Sequence, residues 1–284
     1  MKYDKNNKLR LFEICAGYGS QALALNRLRE IYPDFDYELV GWAEFDPEPD
    51  ANPNIDKQPA VIAHNALHPD GIGKNWGDIT KIKWEDLPDF DLLTYSTPCQ
   101  SVSQAGLQHG FTEGSGTRSS IIWNVRDCVK AKRPKFLMLE NVKAMVSGKF
   151  IGVFNLWQNE LARLGYENFA QVLNAKDYGV PQNRERIFLV SIRDDGDLPR
   201  FFFPQPFPLD RRLKDVLEEN VDEKYYLSDE RIAEFNGRTI SEHQWGYVNR
   251  KEDESVRALC SCDYKDAPKV LDYEQDDLRT IPQP

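Results

Sequence analysis

The chain has 284 residues and a net charge of −10, with 46 acidic and 36 basic side chains. This length suits one α/β domain of about 200 residues with a smaller region beside it. The apolar runs fall well short of the roughly 20 residues of a membrane-spanning helix, and residues 1–8 lack the apolar segment of a signal peptide. The five cysteines lack the spacing of a disulfide framework, which indicates free thiols in a reducing compartment. We therefore expect a cytoplasmic protein with no membrane partner.

The acidic charge is concentrated in the last part of the chain. Residues 215–284 carry 18 acidic and 9 basic side chains, whereas residues 1–214 carry 28 and 27. Phosphate contacts need Lys and Arg, so the acidic part suits a solvated or partner-facing surface better than one that reads nucleic acid. Cys260 and Cys262 stand close together, but no second pair or histidine cluster accompanies them, and we predict no metal site.

Strand and helix patterns alternate along the first 200 residues, which predicts a doubly wound α/β sheet. The predicted strands cover residues 9–14, 37–43, 90–95, 136–139, 168–174 and 186–192, with a further short strand ending at 75–80. The predicted helices begin with Ser20 as N-cap, lie around 60–64, cover 119–132 and lie around 154–164. A proline-aromatic run at 201–208 is the best domain boundary, which predicts one domain at 1–200 and a smaller region at 201–284.

A glycine turn follows the first predicted strand. Gly17 and Gly19 allow a ligand to approach the backbone closely, and Glu44 follows the second strand about 25 residues later, a distance typical of ribose binding. The turn lacks the third glycine of the dinucleotide pattern, and the chain has no Gly-Lys-Ser or Gly-Lys-Thr phosphate loop. A cofactor with a ribose but no pyrophosphate is favoured, and S-adenosylmethionine is such a molecule.

A thiol, a carboxylate and two arginines stand next to strand ends in the second half of the predicted domain. A thiol beside an acid suits attack on an electron-poor ring carbon, because the acid can hydrogen-bond a ring nitrogen while negative charge builds on the ring. Each group taken alone has an ordinary explanation, such as a buried cysteine or a surface ion pair. The candidate catalytic residues are Cys99, Glu140, Arg184 and Arg186.

These segments, in this order, resemble the motifs of cytosine-C5 DNA methyltransferases. Each motif is weak alone, but four in the family's order are specific, and they span residues 12–186. The resemblance implies a Rossmann-like S-adenosylmethionine methyltransferase sheet with a small, incomplete C-terminal region. The matching segments are Phe12 through Gly19, Pro98-Cys99-Gln100, Glu140-Asn141-Val142 and Gln182-Asn183-Arg184-Glu185-Arg186.

The resemblance also implies a role for each matching residue. Cys99 would add to C6 of cytosine. Glu140 would contact the N3 and amino edge, Arg186 the ring oxygen, and Arg184 would support that cluster. Because C6 is inaccessible in a stacked duplex, the target base would be flipped out of the DNA. The residues implied in cofactor binding are Phe12, Gly17, Gly19, Glu44 (ribose), Asp78 (adenine amino group), Ile79 and Pro98. Those implied in substrate binding are Gln100, Ser103, Asn141, which would also brace the cysteine turn, and Val142.

The last part of the chain departs from the family's pattern. The family continues past the arginine motif with a target-recognition region and two more motifs, one of which has a Gly-Asn pattern that completes the cofactor pocket. This sequence contains no Gly-Asn dipeptide. We therefore expect a catalytic and cofactor-binding domain at 1–200, followed by a linker plus a partial target-recognition region at 201–284.

Three interpretations of function stay open on the sequence. The first is a DNA methyltransferase of the restriction-modification type, with duplex DNA as its partner. The second is a tRNA cytosine-C5 methyltransferase. The third is a truncated or split-subunit relative that is inactive alone and acts as a binding or regulatory protein, or that works with a second polypeptide supplying the missing motifs.

Overall fold

The computed structural model describes residues 3–48, 50–98, 121–148, 150–196, 200–218 and 222, and the backbone of four short strands between 248 and 280. Contacts between Cα atoms divide the chain into two units. One unit is Met1–Val172 with Arg186–Phe202, and the other is Leu173–Glu185 with Phe203–Pro284. The assignment of residues 1–200 to catalysis and cofactor binding, and of residues 201–284 to a linker and partial target-recognition region, stays a prediction.

A six-stranded sheet forms the centre of the first unit. In order across the sheet, the strands are β2-β1-β3-β4-β7-β5. The four neighbouring strands β2, β1, β3 and β4 are parallel, and β7 is antiparallel to β4. This mixed α/β arrangement confirms the predicted fold class. The strands are β1 (Leu9–Ile14), β2 (Tyr37–Ala43), β3 (Leu92–Tyr95), β4 (Phe136–Val142), β5 (Tyr166–Asn174) and β7 (Glu185–Arg193), and β6 (Gln182–Asn183) lies outside this sheet.

The helices of the first unit follow the apolar spacing of the sequence. In the third, α3, the buried residues include Ile122, Val125 and Val129, which lie three and four residues apart and so share one helical face. The described helices are α1 (Ser20–Ile31), α2 (Pro59–Leu67), α3 (Ile121–Lys132) and α4 (Ile151–Arg163). The fourth helix buries Phe154, Trp157 and Leu161 in the same way.

The side chains of β1 alternate between two buried clusters. Leu9 and Leu11 belong to one cluster, together with residues of α1 and α2. Phe12 and Ile14 belong to the other, together with residues of α3 and α4. Both faces of the sheet therefore pack against helices, as a parallel sheet requires.

The start of α1 differs from the prediction. Gly19, and not Ser20, is the N-cap, in a left-handed conformation with φ +77° and no side-chain cap. The hydroxyl of Ser20 instead donates to the side chain of Gln21 at 2.9 Å. The predicted Ser20 cap was wrong because the left-handed turn places the helix boundary one residue earlier.

The predicted strand ending at 75–80 is also wrong. The segment makes one isolated β-bridge, between Trp42 and Asn75, and does not continue as a strand. Gly77 follows with φ +70°, a left-handed conformation that an extended strand does not contain. The segment therefore turns away from β2 after a single pairing.

The Arg10–Asp91 pair ties β1 to the residues before β3. The guanidinium of Arg10 donates to both carboxylate oxygens of Asp91, at 3.0 and 2.8 Å, and the Arg10 backbone N–H donates at 3.0 Å. Burial works to raise the pKa of Asp91, but the hydrogen bonds from Arg10 outweigh it, so this pKa lies below its ordinary value.

We expect Asp91→Asn to lower the free energy of unfolding by about 1–2 kcal/mol at pH 7, because it removes a charge-assisted pair. The pKa of Asp91 is lowered in the folded state, so this contribution is present above the ordinary aspartate pKa of about 3.9 and is lost as the pH falls through the lower folded-state pKa. Urea unfolding of both proteins at pH 7 and pH 3 measures the difference. The control is Asp89→Asn, which removes an exposed contact to Lys132 at 3.4 Å and should cost less than about 0.5 kcal/mol. A difference that is equal at the two pH values contradicts the prediction.

The second unit contains short strands. A three-stranded sheet has the order β11-β10-β8, and β6 pairs with β9 in parallel. These strands are β8 (Val248–Arg250), β9 (Val256–Arg257), β10 (Lys269–Asp272) and β11 (Asp277–Thr280). Among the described helices of the chain, none combines the length and the apolar character needed to cross a membrane.

Candidate active site at the carboxyl edge of the sheet

Four strands end at one edge of the sheet, because β1, β2, β3 and β4 are parallel. β1 lies between β2 and β3, so the chain leaves β1 toward one side for β2 and returns on the other side for β3. Open α/β sheets bind ligands at such a reversal, outside the carboxyl ends of the strands. The antiparallel β7 begins at the same edge, where Arg186 pairs with Val142.

The glycine turn after β1 contacts Glu44, the residue that follows β2. Gly17 and Gly19 have φ values of +56° and +77°, the left-handed region that favours glycine. The backbone N–H of Gly17 donates to Oε2 of Glu44 at 2.7 Å. Two of the predicted cofactor-binding elements, the turn and Glu44, are therefore brought together by a direct hydrogen bond.

Asn75, which was not predicted as a site residue, holds the backbone of Glu44 through two hydrogen bonds. Its Oδ1 accepts from the Glu44 N–H at 3.1 Å, and its Nδ2 donates to the Glu44 carbonyl at 3.2 Å. Burial raises the pKa of Glu44, and hydrogen bonds from the N–H groups of Gly17 and Phe45 offset part of that rise. A partly buried carboxylate fixed in this way can accept hydrogen bonds from the hydroxyl groups of a ligand.

Asp78 lines a cavity of about 470 Å³. Phe45, which follows Glu44 in the chain, also lines it. Burial works to raise the pKa of Asp78, but hydrogen bonds from Thr80 and Lys81 outweigh it, so its pKa lies below the ordinary value. Aromatic and aliphatic walls with a charged carboxylate suit a flat purine that carries an amino group. The carboxylates of Asp78 and Glu44 accept hydrogen bonds from amino and hydroxyl groups, and S-adenosylmethionine carries both kinds of donor. The cavity is lined by Phe45, Ile55, Trp76, Asp78, Lys81, Ile82, Lys83 and Asp86.

Phe12 and Ile79 lie in the core behind this edge. The ring of Phe12 is fully buried and stacks on Phe90, with the ring centroids 5.1 Å apart. Ile79 is buried in the same cluster. These side chains support the strands that present the cofactor edge, and their own contact with a cofactor stays a prediction.

Glu140 and Arg186 form an ion pair at the carboxyl edge. Nε of Arg186 lies 3.2 Å from Oε1 of Glu140, and both side chains are about one-fifth exposed. The register of β4 and β7 explains the contact, because Glu140 pairs with Phe188 and Val142 pairs with Arg186. Residues two apart on paired strands share a face, so the two charged side chains meet.

Asn141 connects the end of β4 to the residues that lead to the predicted nucleophile. Its Nδ2 donates to the carbonyl of Thr97 at 3.0 Å, and both residues are buried. Pro98 follows directly, and Cys99 comes next in the sequence. The role of Asn141 as a brace of the cysteine turn stays a prediction.

The other predicted site residues are not brought to this edge by the part of the chain that the structure describes. Cys99, Gln100 and Ser103 lie outside the described residues. Arg184 belongs to the second unit, where its backbone N–H donates to Oδ1 of Asn174 at 3.0 Å. Within the part of the chain that the structure describes, three or more metal-ligating side chains do not cluster, and Cys260 and Cys262 lie outside that part.

Three buried polar residues near the glycine turn were missed by the sequence analysis. Two of them, His64 and His68, are four residues apart at the end of α2, a spacing that places both on one helical face. This four-residue spacing is the feature of the sequence that could have identified the two histidines as a pair. The third, Glu13, is a charged residue within the apolar run of β1.

Comparisons with known proteins find relatives that are named as methyltransferases. The Type II methyltransferase M2.ScrFI of Lactococcus lactis subsp. cremoris is 37% identical over 266 residues, which cover 80% of this chain and 72% of that protein. The orphan methyltransferase M.Rho11sI of Bacillus phage rho11s is 32% identical, over 80% of this chain and 47% of that protein. The chain thus spans about half the length of some of the curated relatives it matches.

Solved structures share the fold at lower identity. The Entamoeba histolytica methyltransferase EhMeth superposes with a TM-score of 0.68 at 16% identity, covering 98% of this chain and 79% of that chain. S. pombe Dnmt2 methyltransferase gives 0.65 at 17% identity, covering 96% and 83%. These likenesses bear on the fold alone, and they agree with the predicted Rossmann-like sheet. Since a family model described as C-5 cytosine-specific DNA methylase matches residues 9–276, the chain belongs to the C-5 cytosine-specific DNA methylase family.

Proposed function

We propose that the chain transfers a methyl group from S-adenosylmethionine to C5 of a cytosine in duplex DNA, through a covalent bond between Cys99 and C6 of the base. The main support is the Glu140–Arg186 pair, which lies at the strand edge where Asn141 contacts the residues before Pro98. An acid and a guanidinium at that place suit the polar edge of a flipped cytosine. The family membership and the names of the relatives agree with this chemistry.

The proposed reaction assigns one task to each side chain. The Cys99 thiolate adds to C6, and the electron pair of the C5–C6 double bond moves toward C5 and the ring. Glu140 hydrogen-bonds N3 and the amino group, which stabilises the developing negative charge. Arg186 orients the Glu140 carboxyl through its 3.2 Å contact and reaches the ring oxygen.

When bound, S-adenosylmethionine supplies an electrophilic methyl group. The electron-rich C5 would take up that methyl group while Cys99 stays bound to C6, and the electron pair of the broken S–CH3 bond would stay on the sulfur, which leaves S-adenosylhomocysteine as the second product. A base then removes the C5 proton, the C5–C6 double bond re-forms, and Cys99 leaves as a thiolate. Glu44 and the Gly17 turn hold the cofactor, with Asp78 on its adenine amino group, and base flipping brings C6 within reach of Cys99.

A trapping experiment tests the proposal. We use a long duplex in which every cytosine is 5-fluorocytosine, so that any recognition sequence is present, together with S-adenosylmethionine. Fluorine replaces the proton that must leave C5, so elimination is blocked and Cys99 should stay attached to the DNA. The expected result is a DNA-linked chain on a denaturing gel, with the attachment mapped to the peptide that contains Cys99. Cys99→Ser should give no adduct.

The other outcomes decide between the alternatives. An adduct with 5-fluorocytosine tRNA but not with the duplex contradicts the DNA proposal and supports a tRNA substrate. An adduct that forms only after a second polypeptide is added supports a split enzyme. If neither nucleic acid gives an adduct under any of these conditions, the chain is a binding or regulatory relative and the proposal is wrong.

A further inference from the structure

Two buried histidines lie against the glycine turn, and the proposed reaction uses neither. His64, on α2, and His68, which follows α2, are 0% and 1% exposed. Their rings are tilted, with centroids 4.8 Å apart. Both histidines come after Glu44 in the sequence. The chain therefore passes the predicted ribose-binding residue and then comes back to the glycine turn at α2.

His68 holds the carbonyl groups of the turn. Its Nε2 lies 3.2 Å from the carbonyl oxygen of Tyr18 and 3.0 Å from that of Gly19. A carbonyl oxygen only accepts, so the tautomer that satisfies this contact carries its hydrogen on Nε2 and donates it. The fit is close, since a Cβ added to Gly19 would lie 2.5 Å from Nε2 of His68.

Glu13 and Trp42 hold His64 beneath the turn. The ring of His64 stacks on Trp42, with centroids 3.6 Å apart and an interplanar angle of 13°. Oε2 of Glu13 lies 3.6 Å from Nε2 of His64, longer than a hydrogen bond but within ion-pair range. Oε1 of Glu13 accepts from the N–H of Ala22 at 3.2 Å, in the first turn of α1. A carboxylate there replaces the side-chain cap that Gly19 lacks and is favoured by the helix dipole.

We propose that His68 is a positioning residue for S-adenosylmethionine binding, and that the buried Glu13–His64 pair supports the ring of His68 against the turn. The inference rests on the proposed function. Its physical basis is that the turn is fixed at both ends: Gly17 donates to Glu44 at 2.7 Å, and Gly19 accepts from His68 at 3.0 Å. Left-handed glycines are free to move in isolation, so these two contacts, together with the backbone hydrogen bonds from Gly19 to Ala16 and from Leu23 to Gly19, help to set where the turn presents its backbone to the cofactor.

Calorimetric titration of the whole chain with S-adenosylmethionine, without DNA, tests this inference. His68→Leu keeps most of the side-chain volume and removes the donor, and we expect the Kd to rise about three- to tenfold. His68→Gln supplies an amide donor near the Nε2 position and should recover most of the affinity. The control is Val61→Ala, a buried position on α2 whose side chain has no hydrogen-bonding group, so the change weakens the packing of the helix but removes no hydrogen bond to the turn. Its Kd should stay that of the parent chain even if its melting temperature falls.

A second measurement needs no cofactor. Long-range ¹H–¹⁵N spectra of the free chain should show His68 with its hydrogen on Nε2. A His68→Leu variant that binds as tightly as the parent chain, or a glutamine variant that recovers nothing, overturns the inference while leaving the proposed function intact. A parent chain that shows the expected tautomer but does not bind S-adenosylmethionine contradicts the proposed function and, with it, the cofactor role of His68.

Discussion

Glu140→Gln is expected to slow methyl transfer by about 10²–10⁴-fold at saturating S-adenosylmethionine, the usual effect of removing a group that handles a proton at the reacting atoms. Glutamine keeps the shape of the side chain and still accepts a hydrogen bond from Nε of Arg186. It does not hold a proton or a negative charge at N3 of the base. The barrier to addition at C6 therefore rises because the charge that builds on the ring is no longer stabilised.

Single-turnover measurements separate this effect from binding. The rate at which the 5-fluorocytosine adduct forms should fall by the same factor as methyl transfer, because both depend on addition to C6. The affinity for S-adenosylmethionine should not change, since Glu140 is not among the predicted cofactor contacts. Glu167→Gln, the same change at an exposed position on β5, is the control and should react at the parent rate. A Glu140→Gln rate within threefold of the parent would place the acid role on another side chain.

The sequence predicted the buried strands better than their surroundings. The limits of β1 and β2 match the prediction because each apolar run is bounded by charged or turn-forming residues. In contrast, α2 was predicted only around 60–64 and covers Pro59–Leu67. Its neighbourhood is rich in proline and asparagine, which weakens periodicity as a signal. What holds α2 in place is tertiary, namely the stacking of His64 on Trp42.

The candidate site likewise contains contacts that could be predicted from the sequence and contacts that could not. The Gly17–Glu44 contact was predictable, because two consecutive strands of a parallel sheet deliver their ends to one edge. The hydrogen bonds of Asn75 and His68 were not, since their partners lie 31 and 49 residues away in the chain. The spacing of His64 and His68 places the two rings on one helical face but does not identify the groups that they contact. The nearness of Glu140 and Arg186 depends on the antiparallel pairing of β4 with β7. Periodicity does not reveal the direction of a pairing, and only the family resemblance had put these two residues in one site.

Glu44 is expected to control cofactor affinity. If its carboxylate accepts from the ribose, Glu44→Ala should weaken S-adenosylmethionine binding by about 10–150-fold, which corresponds to the 1.5–3 kcal/mol of a hydrogen bond to a charged group. The loss has two sources. The ribose loses its acceptor, and the N–H of Gly17 loses the partner that it has at 2.7 Å, so the turn is no longer held. Glu44→Gln keeps an acceptor and should lose less.

The pH dependence of binding tests the same role more sharply. Burial raises the pKa of Glu44 above its ordinary value of about 4.3, so the carboxyl takes up a proton at a higher pH than an exposed glutamate does. Protonation removes the charge that the ribose and Gly17 bind. The affinity of the parent chain should therefore fall as the pH is lowered through that raised pKa, whereas Glu44→Gln, which has no proton to gain, should show no such fall. Glu38→Gln, an exposed change on the same strand, should follow the parent curve. A parent chain whose affinity is as flat as that of Glu44→Gln would show that the charge of the Glu44 carboxylate does not contribute to cofactor binding.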